Sequence, residues 1–556
     1  MRIFASSLAF AAVRFLAGLV VCWLSGCQGS QVGPSDLFNT PHVAPPRALS
    51  APAPHAPLQP APSNVLQTSV HVPSGTIPRV LARVCRVIQT TREGLLCLQS
   101  ATSRTVLWVE GLPCEMLEVT EDGRPVTVTN RYVQGGCQLN RPEPSQSPRF
   151  TLGLRSKDTG TQFWQLPVDR SKPWLTYWTD TMWNRATVDL DGVDAELRRQ
   201  SVQQTEPAVA LDMSFGRGVA LFRLGYNDLA VSIFSQMAET AARLGYIGIA
   251  FDASHLQFIE LVQSGDLDDA DLVIQSSKTF VIPENGAALV SWNWDVGRLL
   301  YEAERLDEAE LALRRSIFDA ERLDLRNTRR LAMPILAVVL LEMERFDEAW
   351  SVQLDSEKLL NGADDCSKAA LQSNLAENVL EFIQDDEKAS SLPSCNLAHA
   401  REMFNKALAT RRSCLMNIDV ARLHIGLATI SFLENQLKEA KAELELAKSV
   451  QGATHIDLMD TLNLEGQISL RENRPKEAQY FFENLSQLVK AHPNSRASHY
   501  GCKAATGLLE SATMLGGANP TVTARVQDCL RAERLSPFRR KIIQKTVPSI
   551  LQPAIK

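Results

Sequence analysis

The chain has 556 residues, 57 Lys and Arg against 63 Asp and Glu, a net charge of -6 and 45% hydrophobic residues. That balance excludes the basic footprint of a nucleic-acid binder, and the apolar fraction excludes a chain too polar to build a core. In chain order, Arg2 and Arg14 precede a short apolar core, Phe15 to Trp23, which reads as a secretory signal over residues 1–26. About nine apolar residues cannot span a bilayer, which needs roughly twenty.

The four residues that end this run, Leu24-Ser25-Gly26-Cys27, resemble the bacterial lipoprotein box. The resemblance implies cleavage before Cys27 and a diacylglycerol on its thiol, completed by a further acyl chain such as palmitate. Two or three chains, at about 0.8 kcal/mol per buried methylene, anchor a soluble body to a membrane. Gln28 in place of Asp implies sorting to the outer membrane, so the expected location is the bacterial cell envelope, facing the periplasm. Residues 27–75 carry ten prolines after Cys27 among Ala, Ser and Gln, as in "TPHVAPPRALSAPAPHAPLQPAPS". Such a segment cannot bury a core and reads as an extended tether.

Residues 76–190 alternate with period two. "RVLARVCRVIQ", "TVLWVE", "MLEVTEDGRPVTVT" and "FTLGLRS" predict a small all-β, sandwich-like domain, with Asp122-Gly123 as a hairpin turn. Its cysteines fit an oxidising compartment. Cys85, Cys97, Cys114, Cys137, Cys366, Cys395, Cys502 and Cys529 are the candidates for disulfides, and Cys414 is taken as the unpaired one. Cys85–Cys97 and Cys114–Cys137 would staple short excursions, and Cys366–Cys395 would close a loop. The domain ends in an aromatic run, with Trp164, Trp174, Tyr177, Trp178 and Trp183. Such rings suit a carbohydrate or peptide platform, the alternative being a packed junction.

A connector, 191–205, leads to an array over 206–530. Small residues recur at Ala230, Ala270, Ala309, Ala349, Ala400, Ala440 and Ala478, about forty residues apart except for an insertion around 384–394. Each follows an amphipathic helix and a polar turn. Gly218, Gly297 and Gly466 lie twelve residues before their alanines, and Phe234, Phe404 and Phe482 lie four after. These positions resemble the tetratricopeptide repeat, with a period longer than its usual 34 residues. The resemblance implies a mostly α fold, a right-handed α-solenoid of seven helical hairpins following the β domain. It also implies a groove lined by the first helices, at Phe215, Arg223, His255, Trp294, Arg298, Tyr301, Arg422, Phe432, Asn463, Gln467 and Arg471. Arginine, amide and aromatic side chains are typical of binding hot spots, and arginines beside Asn could hold a peptide carboxylate. Residues 531–556 form a basic tail, with Arg539-Arg540-Lys541 and Lys545, which reads either as a contact for acidic lipid or partner surfaces or as a capping helix with a solvated face and a frayed end.

No GxSxG, HExxH, P-loop or glycine-rich strand-to-helix turn occurs, and His399 near Cys395 has no third group to orient it. The expectation is a non-enzyme without cofactor or metal. It would be a protein-binding scaffold or adaptor in envelope, secretion or motility assembly, with protein or peptide partners and no nucleic acid. Two other functions fit the same residues: a sensor or regulatory subunit of a separately encoded protease or other enzyme, and a cell-wall or carbohydrate binder using the tryptophans.

Overall fold

The computed structural model describes residues 78–170 and 207–547 apart from short stretches at 85–86, 99–104, 142–146, 364, 414–419, 451–452, 493–496, 518–519 and 532–534, most of 385–393, and all but a few positions between the two blocks. All of them belong to one compact unit, Val70–Lys556. The signal, the box at Leu24, Ser25, Gly26 and Cys27, the tether, Cys85, Cys414 and the aromatic run at Trp174, Tyr177, Trp178 and Trp183 lie outside the described residues.

The β module contains β1 (Val80–Arg83), β2 (Val87–Thr91), β3 (Gly94–Leu98), β4 (Thr105–Glu110), β5 (Leu117–Glu121), β6 (Arg124–Pro125), β7 (Thr129–Val133), β8 (Gly136–Arg141), β9 (Arg149–Ser156) and β10 (Gln162–Asp169). They form two sheets, ordered β1-β4-β8-β7 and β2-β3-β10-β9-β5-β6, in which β3 and β10 pair in parallel. Alternation places Leu107, Val109 and Leu139 of one sheet against Val119, Leu152, Leu154 and Leu166 of the other in one core, so the expected sandwich-like packing forms. Asp122 and Gly123, at φ of 50° and 77°, make the expected tight turn between β5 and β6. Trp164, on β10, packs half-buried against that core.

Cys114 and Cys137 are bridged across 23 residues, tying the turn before β5 to β8. Cys97 and Cys366 are also disulfide-bonded, but the expected Cys366–Cys395 pair does not form. Cys395 is a buried free thiol, enclosed by apolar side chains of the central helical core.

Among the described residues, 17 α-helices follow. In pairs they are α1 (Pro207–Leu224) with α2 (Asn227–Arg243), α3 (Ile247–Ser264) with α4 (Leu267–Ser277), α5 (Gly286–Glu302) with α6 (Leu306–Arg322), and α7 (Arg326–Glu342) with α8 (Phe346–Glu357). The series continues with α9 (Asp365–Ile383) and α10 (Leu397–Ser413), α11 (Val420–Leu433) and α12 (Leu437–Lys448), and α13 (His455–Arg471) and α14 (Pro475–Ala491). The seven periodic alanines all fall on the second helix of a pair and are fully buried. The reason is steric: at Gly218 and Gly466 a methyl group would sit 2.5 Å from the ring of Phe234 or Phe482, so the first helix can approach that ring only without a side chain. A single hairpin leaves its apolar face bare, and stacking buries it. An eighth pair, α15 (Ala497–Met514) and α16 (Pro520–Arg531), is held by a Cys502–Cys529 disulfide. A last helix, α17 (Pro537–Thr546), forms within the basic tail. Its start is encoded by Ser536, whose hydroxyl accepts from the Arg539 amide at 3.2 Å, with Pro537 in the first turn. None of the described helices is long and apolar enough to cross a membrane.

The module and the array are packed together through residues other than the aromatic run that suggested a junction. Opposite to its sandwich face, the first sheet presents Leu81 and Trp108, a cross-strand pair, to Val290, Ala320 and Leu323. The Arg322 guanidinium lies 3.6 Å over the Trp108 ring. The Gln138 amide donates to the Arg322 carbonyl at 2.5 Å, and Arg83 donates to the Asp324 carbonyl at 2.9 Å. The other sheet touches the first hairpins, where the Thr90 amide donates to the Gly245 carbonyl at 2.8 Å.

Candidate functional site

The first helices α3, α5, α7, α9, α11, α13 and α15 stack side by side into a continuous wall. The array winds far enough for α13 to meet α3, and α17 crosses from α15 to α7. Positions about one period apart therefore face each other on neighbouring helices, and most expected groove residues are found in such pairs.

His255 on α3 holds Asp295 on α5, forty residues on, with Nδ1 2.8 and 2.9 Å from the two carboxylate oxygens. Phe251 stacks on the imidazole at 6.1 Å, and Trp294 meets it edge-on at 5.7 Å. Burial pushes the Asp295 carboxyl up to about 6, against the pull of the His255 charge. Burial pulls His255 down, but Asp295 and Asp252 outweigh it and leave the imidazole above its usual value. Trp294 is itself buried in the helix core, and its Nε1 has no hydrogen-bond partner.

Arg298 pairs with Glu302 one turn on at 2.9 Å. The Tyr301 hydroxyl donates at 3.2 Å to Glu342, 41 residues away on α7. Arg422 on α11 sits 3.9 Å from Glu377 on α9 and 3.5 Å from Asp457 on α13. Arg471 on α13 donates to the Phe432 carbonyl at 2.8 Å and covers the Phe432 ring at 3.9 Å. Asn463 carries a buried, unpartnered Oδ1, and half-buried Gln467 lies one turn further along α13. Phe215 on α1 packs against Phe234 at 6.1 Å. Arg223 ends α1, but its side chain is outside the described ones. Arg298, Arg422 and Arg471, expected as open carboxylate clamps, are thus committed to partners of their own chain, and Phe432 and Tyr301 pack into the core. Among the described residues no cluster of His, Cys, Asp and Glu could hold a metal ion.

The acids were missed. Asp295, Glu302, Glu342, Glu377 and Asp457 compensate the wall's cations and its histidine, and the signal was present: a His–Asp pair and a Tyr–Glu pair at one repeat period. Also missed were the contacts of α17, whose basic face was expected to be solvated. Arg539 donates from Nε to Glu342 at 2.9 Å and from Nη2 to the Tyr301 hydroxyl at 3.3 Å, with Glu304 at 4.0 Å. Phe538, 1% exposed, meets Phe346 edge-on at 6.0 Å. Beside it a cavity of about 470 Å³ is lined by Glu344, Arg345, Phe346, Asp347, Glu348 and Lys541. The edge of the wall, where α5 and α7 end and α8 begins, therefore already holds a helical segment by an aromatic ring and an arginine.

These hairpins form a tetratricopeptide-like helical-repeat fold, with a β module built onto its first hairpins. A solved structure, the crystal structure of the apo form of RapI, aligns with 58% of this chain and 85% of that chain at 12% identity, with a TM-score of 0.33. No family model and no curated protein matches the sequence.

Proposed function

We propose that the protein is a membrane-tethered adaptor that binds protein partners through the inner wall of its solenoid and performs no catalysis itself. In this reading acylation at Cys27 places it on the bacterial outer membrane, facing the periplasm, and residues 28–75 hold the body off the lipid. The observation that carries it is the seating of α17: the edge of the wall, at Tyr301 and Glu342 where α5 and α7 end and at Phe346 where α8 begins, holds a peptide helix by the contacts an intermolecular ligand would make. A buried aromatic with an adjacent, well-paired arginine is the pattern of a binding hot spot.

The test is a crosslinked pull-down from host membranes. The full chain serves as bait beside a version with Trp294, Arg298 and Tyr301 changed to alanine, circular dichroism confirming that both are folded. Partners lost with the variant support the wall as the interface, and a prey set that includes an enzyme turns the adaptor into a regulatory subunit. Identical prey sets overturn the reading. A Cys27→Ser chain is expected to move from the membrane to the soluble fraction.

A further inference from the structure

Helix α17 has two apolar rows. Leu535, Ile543 and Val547 pack on Cys502, Ala505, Leu509 and Val526 of the last pair. Phe538 and Ile542 turn the other way, into the central core beside Phe346. Between these rows Arg539 enters the wall, its side chain 11% exposed beside Glu342 at 4% and Glu304 at 11%. From Leu535 to Val547 the segment contains no acid and four bases, Arg539, Arg540, Lys541 and Lys545, whereas the neighbouring turn presents Glu344 and Asp347 beside an Arg345–Glu348 pair.

We propose that this part of the wall is a binding site for a basic helical segment of a partner protein carrying an aromatic residue directly followed by arginine, and that α17 is its resident occupant, displaced when such a segment arrives. The proposal rests on the adaptor reading and names the ligand of its wall. Three properties favour exchange. A ten-residue helix is marginal on its own, so releasing α17 gives up little intrinsic helix stability. A buried ion pair roughly balances its own desolvation, so replacing Arg539 by another arginine is close to neutral, whereas leaving Glu342 bare is not. The cavity beside Lys541 gives a longer segment space next to Glu344 and Asp347 that α17 leaves unfilled.

The experiment uses a fluorescent peptide of residues 535–547 and the purified full chain in detergent, read by anisotropy. A chain with Phe538→Ala and Arg539→Ala, its own occupant disabled, is expected to bind the peptide at least tenfold more tightly than the wild type. Adding Glu342→Lys to that chain, or replacing Phe and Arg of the peptide by alanine, is expected to abolish binding. Equal binding to the wild-type and disabled chains, or equal binding of the alanine peptide, overturns the proposal. If the disabled chain melts early, Arg539→Lys serves instead. It keeps the charge but loses the two-nitrogen grip on Glu342, and a weaker but measurable gain in peptide affinity is expected, no gain counting against the site. If the wild-type chain binds phosphatidylglycerol vesicles and loses that on Arg539→Ala, then Arg539 serves lipid and the proposal also falls. Peptide binding with an unchanged pull-down sinks the adaptor reading alone, whereas lost partners without peptide binding sink only the ligand assignment.

Discussion

Gly466→Ala tests whether close helix approach sets the repeat geometry. The added methyl carbon would lie 2.5, 2.7 and 2.9 Å from Cζ, Cε1 and Cε2 of Phe482, which is fully buried. The ring has no retreat, because Gly507 of α15 presses on it from the next hairpin, and a methyl there would clash with the same atoms. Because the ring cannot move away, overpacking here falls in the upper part of its range, about 2–3 kcal/mol, while replacing a mid-helix glycine by alanine returns about 1 kcal/mol. The expected net loss is about 1–2 kcal/mol, read as a lower urea midpoint by far-UV circular dichroism. Phe482→Leu alone leaves a cavity and is expected to cost about 1–2 kcal/mol. In the double variant the leucine yields to the methyl, so the two losses should overlap by about 1 kcal/mol in a double-mutant cycle. Strict additivity, or a Gly466→Ala chain as stable as the wild type, would show that the ring does not depend on the glycine and would refute the steric account of the period.

Further outcomes follow from the buried polar groups. Because Asp295 is raised to about 6, the folded chain holds a proton that the unfolded chain has released, so this contribution to stability is full below about pH 4 and fades as pH rises through about 6. Asp295→Asn removes the fade: relative to wild type, its melting temperature should climb between pH 4 and 7 by the equivalent of about 2–3 kcal/mol, and a flat difference refutes the assignment. Arg322→Ala removes the ring stack on Trp108 and one partner of Asp319, which lies 3.0 Å away. A loss of about 3 kcal/mol and faster proteolysis within the β module are expected, with Arg322→Lys nearly as damaging because it lacks the planar face. Burial lifts the Cys395 thiol to about 11, leaving about one part in a thousand as thiolate at pH 8. Alkylation followed at that residue by mass spectrometry should be slow in the native chain and fast in urea.

Local periodicity made the array legible, and the alanines at intervals of about forty marked the second helix of seven hairpins correctly. The two strands around Asp122-Gly123 were equally visible, because turn chemistry and alternation act over a few residues. What was hidden lies at long separation. Trp108 reads as one more apolar residue of β4, and nothing near it announces Arg322 more than two hundred positions later. Arg539 reads as part of a solvated basic run until Glu342, 197 residues earlier, is seen beside it. The expected Cys366–Cys395 loop failed for the same reason: proximity in sequence says little about which thiols meet once an insertion separates two helices. The wall arginines were identified as residues, but their neutralising acids needed the fold to bring adjacent periods side by side.

A stacked-hairpin array is mechanically a spring, since each repeat touches only its neighbours and small rotations add along the stack. Here the spring is splinted over part of its length. The β module bridges the inter-hairpin turns at Gly245, Pro283 and Asp324, and three points fixed to one rigid body cannot change their spacing. Winding and unwinding are therefore confined to the hairpins beyond α7, the stretch that α17 ties back to Glu342. A segment that takes the place of α17 does more than fill a site: it removes one of the two ties between the compliant half and the stiff one and leaves only the α13–α3 contact, so occupancy can be converted into a change of pitch.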